Sequence, residues 1–225
     1  IKRGTNSSLY IGDTKGKYQY GFGSGYVSKD YDHNDLGIIF TNNYYSFNSN
    51  ASYRTLKKTK KFNSIRLQTD LNTEFENTTN KLQLGTIAFT GDFFTLKNDS
   101  FRLGSIISPF ETFDFYFPGV EGRYNFNPKY INFNSIISSN RNRKYSFDIT
   151  ADFIKYDQAG RKSYTVTIGQ EYRFNDKFYM RYAARGIKDR NDIGFAAYTV
   201  DDIVYARRNI NTLEHQLTGK YSINN

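Results

Sequence analysis

At 225 residues the chain has the size of one domain, and no stretch of it has the composition of a linker. It contains no cysteine, which excludes disulfides and thiolate metal sites. The formal charge of +9 and mean hydropathy of −0.69 exclude a helical membrane protein but not a membrane β-barrel, in which only one face of each strand is apolar.

The first strand is expected over 17–27, with Tyr18, Tyr20, Phe22 and Tyr26 on one face and Lys17, Gln19, Gly21, Gly23 and Gly25 on the other. Alternation at period two is the strand signature, and glycines on one face let a neighbour approach closely. In the following loop Asp30, Asp32 and Asn34 have the spacing that begins a calcium loop. Asp35 stands where the sharp-turn glycine belongs and Thr41 where the bidentate glutamate belongs, so a polar hairpin loop is the better reading. The apolar run at Gly37, Ile38, Ile39 and Phe40 is, like the others of the chain, far short of the roughly twenty residues of a membrane helix. It opens a second strand over 38–47.

A shorter strand over 51–57 runs into Lys57, Lys58, Lys60 and Lys61, a solvated turn. Next, Ile65, Leu67, Leu71 and Phe75 alternate with Arg66, Gln68, Asp70, Asn72, Glu74 and Glu76, a mixed-charge face that fits a polar barrel interior or the wet side of a soluble sheet. Strands over 81–96 and 101–108 follow, separated by a turn at 97–100. All three prolines then fall in 109–128, and proline cannot donate a ladder hydrogen bond, so this segment is expected to be the least regular. Its Phe110, Glu111, Phe113, Asp114, Tyr116 and Glu121 form an acidic and aromatic mixture that marks a candidate plug or docking segment.

After a strand over 130–138 and a turn at 140–143, the stretch 144–188 repeats one unit three times. Tyr145, Phe147, Ile149, Ala151 and Phe153 alternate with Ser146, Asp148, Thr150 and Asp152; Tyr164, Val166, Ile168 and Tyr172 alternate with Thr165, Thr167, Glu171 and Arg173; Phe178, Met180, Tyr182 and Ala184 oppose Arg181 and Arg185. Gly160 can supply the positive φ of the first reversal, and Asn175-Asp176 fits a two-residue hairpin at the second. A short strand over 193–200 and a last one over 203–223, with Leu213, Leu217 and Tyr221 on one face, complete the chain. No helix is expected.

These strands keep their alternation for about eleven to thirteen residues, where strands of soluble domains cluster near five or six and a tilted membrane strand needs roughly nine to eleven. The expected fold is therefore an all-β, antiparallel, up-and-down transmembrane β-barrel of about twelve strands. The aromatic content of 18%, with 20 Tyr and 20 Phe, suits the water–lipid boundary. A soluble β-sandwich is the alternative. The chain starts at Ile1 with no signal peptide and ends at Asn225 without a terminal aromatic, so a fragment of a larger barrel is expected.

Little in the sequence has the pattern of catalysis. Of the two histidines, His215 shares the parity of Leu213 and Leu217, and His33 lies among aspartates without a nucleophile, so an outer-membrane hydrolase is the weakest of three readings. No metal or cofactor is expected. Lys57, Lys58, Lys60, Lys61, Arg141 and Arg143 are candidate contacts for lipopolysaccharide phosphates, acidic glycans or an envelope partner, with solvated turns as the plain alternative. Nucleic acid is disfavoured, because the aromatics belong to the strand period rather than to a stacking platform. Asp148, Asp152, Glu171, Arg173, Arg181 and Arg185 are candidates to line a lumen.

Two stretches, NDLGIIFTNN at 34–43 and YARRNINTLE at 205–214 running on to GKYSINN at 219–225, resemble the C-terminal barrel of a Bacteroidota outer-membrane family catalogued as a domain of unknown function. The resemblance implies a bacterial outer-membrane location and barrel architecture. In that family the barrel usually follows a carbohydrate-binding-like domain, which implies a link to glycan. The leading expectation is a non-enzymatic barrel that anchors a binding module or joins an envelope assembly. A pore for small solutes or oligosaccharides is the alternative.

Overall fold

The alternating residues become strand pairs in a computed structural model, which describes residues 3–31, 41–120, 122–200 and 202–223. These residues form thirteen strands and no helix: β1 Asn6–Asp13, β2 Tyr18–Val27, β3 Tyr44–Arg54, β4 Phe62–Glu76, β5 Leu82–Thr95, β6 Ser100–Ser108, β7 Thr112–Asp114, β8 Asn125–Asn127, β9 Tyr130–Ser138, β10 Tyr145–Tyr156, β11 Lys162–Arg173, β12 Phe178–Tyr198 and β13 Ile203–Tyr221. Eleven make one sheet in the order β1-β2-β3-β4-β5-β6-β9-β10-β11-β12-β13, while β7 pairs with β8. Neighbours in the order follow one another in the chain apart from the step over β7 and β8, which is the connectivity of an antiparallel meander. Among the described residues β1 and β13 are the ends of the order and do not pair with each other.

The strand spans depart from the sequence reading in four places. β1 was not expected. The break placed between 47 and 51 is absent, since β3 runs through Ser46, Asn48, Ser49 and Asn50. The strand over 193–200 is the far half of a 21-residue β12, with a register irregularity between Asp189 and Asp192 and Asn191 at a φ of 50°. Around Asn175-Asp176 the turn is wider than two residues: Phe174 N–H donates to the Phe178 carbonyl at 2.9 Å and Asn175 Oδ1 accepts from the Lys177 and Phe178 amides, both at 2.9 Å. Gly160 does take the positive φ expected of it, 67°. The expected strand start at 38–40, and His33 with its loop carboxylates, lie outside the described residues.

The chain contacts define two units, Ile1–Tyr53 with Gln68–Phe89 and Ile106–Tyr130, and Arg54–Leu67 with Thr90–Ser105 and Ile131–Asn225. In the first, Gly21, Gly23 and Gly25 of β2 lie opposite Asn50, Asn48 and Ser46 of β3. A Cβ on Gly23 would stand 2.5 Å from the Asn48 side chain, and one on Gly25 2.9 Å from Ser46 Oγ. The glycines thus make room on the polar face for the amide and hydroxyl side chains across from them. On the other face Tyr18, Tyr20, Phe22 and Tyr26 are exposed.

The second unit shows the same sidedness in an unbroken ladder. Ile149, Ile168, Ala184 and His215 stand at one level of β10, β11, β12 and β13, and Phe153, Tyr164 and Lys188 at another. Along β11 exposure alternates strictly: Tyr164, Val166, Ile168 and Tyr172 are exposed, while Thr165, Thr167, Glu171 and Arg173 are half-buried and Gly169 is buried. A soluble sheet hides its apolar face and wets its polar one. Here the order is reversed. Apart from prolines, Val27, 4% exposed, is the one buried hydrophobic side chain among the described residues, whereas Glu76, Gln83, Ser108, Thr112, Asn132, Ser139 and Ser146 are all buried.

Candidate functional site

In the first unit the proline-rich segment is better ordered than its sequence suggests. Thr112, Phe113 and Asp114 pair antiparallel with Asn127, Phe126 and Asn125. Between these short strands Gly119 and Gly122 take φ of 65° and 73°, as tight reversals require, and the Pro118 side chain is fully buried. Asp114 Oδ1 accepts from the amides of Tyr116 at 2.8 Å and Phe117 at 3.0 Å, a local turn that fixes the direction of the Tyr116 ring. The hairpin is short and stands apart from the eleven-stranded sheet, so the segment is the least regular part of the described chain while still holding a defined fold.

Tyr116 carries the segment onto the polar side of β4 and β5. Its hydroxyl donates to Glu74 Oε1 at 3.0 Å and accepts from Gln83 Nε2 at 3.2 Å, so both of its hydrogen-bonding roles are filled. Burial first, and then the Glu74 carboxylate, push the Tyr116 phenol far above the ordinary tyrosine range, so the proton stays on the ring. Beside it Lys81 Nζ lies 4.2 Å from the Phe113 ring centre and 4.7 Å from that of Tyr124, and these two rings meet edge to face at 5.2 Å. The arrangement is a latch: one phenol, one carboxylate, one amide and one ammonium between two rings. It contains no nucleophile and base pair of the kind hydrolysis needs.

Of the six residues that marked the segment, Phe113, Asp114 and Tyr116 take part. Phe110 and Glu111 are exposed and outside the latch, and Glu121 lies outside the described residues. In sequence Glu74 stands only as one member of the mixed-charge face of 65–76, and Gln83 and Lys81 carry no mark, because Tyr116 lies 42 and 33 residues from Glu74 and Gln83 and a cation over a ring leaves no periodic trace.

The six lumen candidates all fall on the polar face of the second unit. Register places Asp148 opposite Gly169, Glu171 opposite Arg181, and Arg185 opposite both Thr167 and Glu214. Arg181 Nη2 lies 2.8 Å from Asp148 Oδ1 and donates to Oδ2 at 3.0 Å, across the space left by Gly169, where a Cβ would be 2.5 Å from the guanidinium. Asn132 donates to Asp152 at 2.8 Å, and Arg185 pairs with Glu214 at 3.4 Å. Arg173 reaches the Arg141 carbonyl at 3.5 Å. Glu171 lies beside the row, half-buried.

The basic turns remain separate. Lys57, Lys58, Lys60 and Lys61 are exposed, in a turn closed by Thr59 and Phe62. Arg143 is neutralised by Asp99 at 2.9 Å, and Arg141 approaches Asp148 at 4.0 Å. The Asn140 amide and then Arg143 hold the Asp99 carboxyl below the usual carboxylate range. His215 stands on the apolar face with its Nδ1 2.6 Å from the Tyr182 hydroxyl.

No curated protein and no solved structure matches the chain. A family model does match it, over residues 1–225, and the protein accordingly belongs to the family described as Domain of unknown function (DUF5916).

Proposed function

We propose that the chain is a transmembrane β-barrel domain of the bacterial outer membrane, a non-catalytic anchor or component of an envelope assembly, with 109–128 as its plug. One observation carries the reading: the apolar face of the sheet is the exposed one. Leu213, Leu217 and Tyr221 are each about two-thirds exposed, and Val166 and Ile168 more than two-fifths. In water every Å² of that surface forgoes about 25 cal/mol of burial, and soluble monomers rarely expose apolar patches beyond a few hundred Å². Hydrocarbon removes the penalty. It also demands that backbone groups be paired within the protein, so β1 and β13 would have to pair with each other or with further strands.

The latch in the first unit favours a plugged anchor over an open pore, since a tyrosine held by Glu74 and Gln83 keeps a folded segment on the polar face. The pore reading draws instead on the charged polar face of the second unit, where Asp148, Arg181, Arg185 and Glu214 would set selectivity. Lipopolysaccharide, envelope proteins and, by the family resemblance, glycan are the partners to test.

The deciding experiment is gel mobility of the membrane-extracted, full-length gene product with and without boiling, followed by planar-bilayer conductance. Faster migration before boiling and a silent bilayer are expected. A chain recovered from the soluble fraction, with no heat-dependent shift, would remove the membrane reading; steady conductance would replace the plug with the pore.

A further inference from the structure

We infer that the outward face of β10, β11 and β12 is a binding site for a phosphorylated, acylated glycolipid of the outer leaflet, and this rests on the membrane reading above. Lys155 of β10 is directly opposite Lys162 of β11, which is directly opposite Arg190 of β12. Lys188 stands two residues before Arg190, opposite Tyr164. All four share the face of Tyr164 and Val166, because their registers have the same parity. Side chains directly opposite in a sheet are about 5 Å apart, and like charges there repel. Among the described residues none of the four has a carboxylate partner. A row of three unneutralised cations is a standing electrostatic cost that an anion relieves.

Immediately below the row on the same face is a cleft of about 430 Å³, bordered by Leu103, Phe133, Ala151, Phe153, Tyr164 and Val166. Ala151 opposite Val166 leaves the hollow, and the Phe153 and Tyr164 rings, 4.8 Å apart, form its rim next to the cations. Lys162 Nζ stands 5.7 Å from the Tyr164 ring centre. Cations above, an aromatic rim and an apolar hollow below follow the order of phosphate, sugar and acyl chain in such a lipid.

The leaflet follows from the second unit's own two ends. At one end β12 and β13 stop flush at the pair Phe178–Tyr221, and neither connection there, 139–144 or 174–177, carries strand pairing beyond the sheet. At the other, β11 ends its pairing with β12 at Lys162–Arg190, while β12 and β13 continue paired to Tyr198–Ile203. Barrels keep short turns on the periplasmic side and longer excursions outside. The cations therefore sit at the outer leaflet, where phosphorylated glycolipid is the anionic lipid.

The test is binding of lipid A, intact and stripped of phosphate, to the delipidated full-length protein in zwitterionic detergent, read by native mass spectrometry and tryptophan-free fluorescence of a labelled lipid. Each cation removed is expected to weaken binding by roughly fivefold. Lys155→Gln, Lys162→Gln, Lys188→Gln and Arg190→Gln combined should therefore lose on the order of several hundredfold, and loss of the lipid's phosphates should cost a comparable factor. Ala151→Phe, which fills the hollow and leaves every charge, should weaken intact lipid A but not its binding of a deacylated phosphosugar. Equal affinity in the four-site variant overturns the site; so does full competition by inorganic phosphate at the lipid's own concentration. Heat-dependent gel mobility of the same samples separates the two failures: a retained shift with unchanged binding removes the lipid site alone, and no shift removes the membrane reading with it.

Discussion

The polar faces of the two units solve one problem in different ways. Each must shelter charged and amide groups on a sheet whose other face is apolar and exposed. In the first unit the solution is a visiting segment: Tyr116 crosses to Glu74 and Gln83, and Lys81 is held between Phe113 and Tyr124. In the second the strands neutralise themselves, with Asp148 and Arg181 meeting over Gly169 and Arg185 meeting Glu214. A self-neutralised face can stand beside water unaided, because its charges are paired from neighbouring strands. The latched face depends on a part that can be taken away. That difference is what makes the first unit the better place to look for gating or docking.

Removing the part is the sharpest way to test the contrast. Replacing 110–127 by a short Gly-Ser linker should turn a silent bilayer into a conducting one while the heat-dependent gel shift persists. Silence after the deletion would show that the segment is not the obstruction. The next effect belongs to the exposed face common to both units. Ile168→Arg, in the middle of β11, should cost about 2–4 kcal/mol if that face meets the bilayer midplane, against less than about 0.5 kcal/mol for an ordinary wet surface. Denaturant refolding into lipid vesicles reads the difference directly.

Within the latch, Tyr116→Phe removes the donor to Glu74 and the acceptor for Gln83, and leaving such partners unmet costs about 1–3 kcal/mol. The same phenol gives the latch a pH limit. Its pKa in the fold is raised above the unfolded value of about 10, so its stabilising effect is complete below that pH and is lost as pH rises above it. Conductance of the wild type should therefore begin to appear in strongly alkaline buffer, and Tyr116→Phe should lack that alkaline onset. In the second unit, Asp148→Asn and Arg181→Gln should couple by about 1 kcal/mol in a double-mutant cycle, discounted from a buried pair because Arg181 is 31% exposed. Coupling near zero would mean that the strands do not depend on self-neutralisation.

Much of this was visible before any coordinates. β2, β5, β6, β9, β10 and β11 fall within a residue or a few of their expected spans, because alternation of Tyr, Phe and Ile with Ser, Thr and Asp is local information. The failures are local too. The alternation in β3 lapses at Ser49, a small polar side chain on the apolar face opposite Phe22, and Asp189 to Asp192 reads as a turn where β12 in fact bulges and continues. Asn6, Ser7 and Ser8 hid β1 in the same way. The site divides along this line. All six lumen candidates share one face, as parity alone required, but the pairing of Asp148 with Arg181 depends on register, and the partners of Tyr116 lie 42 and 33 residues away. The row of Lys155, Lys162 and Arg190 likewise exists only across three strands.

The smallest predicted effect concerns the most conspicuous charge in the sequence. Lys57, Lys58, Lys60 and Lys61 crowd one exposed turn, whereas Lys155, Lys162 and Arg190 are scattered in the chain and adjacent in space. In the turn each ammonium can swing away from its neighbours into water, so repulsion is screened and nothing is gained by an anion. On the strands the backbones hold the roots of the cations in register, so the repulsion relaxes less. Changing the four turn lysines to Ser should therefore leave refolding stability within about 0.5 kcal/mol of wild type and leave lipid A binding unchanged. A loss of lipid binding there as large as that from Lys155, Lys162, Lys188 and Arg190 would mean that basic charge at large, rather than a registered row over an apolar cleft, recruits the lipid.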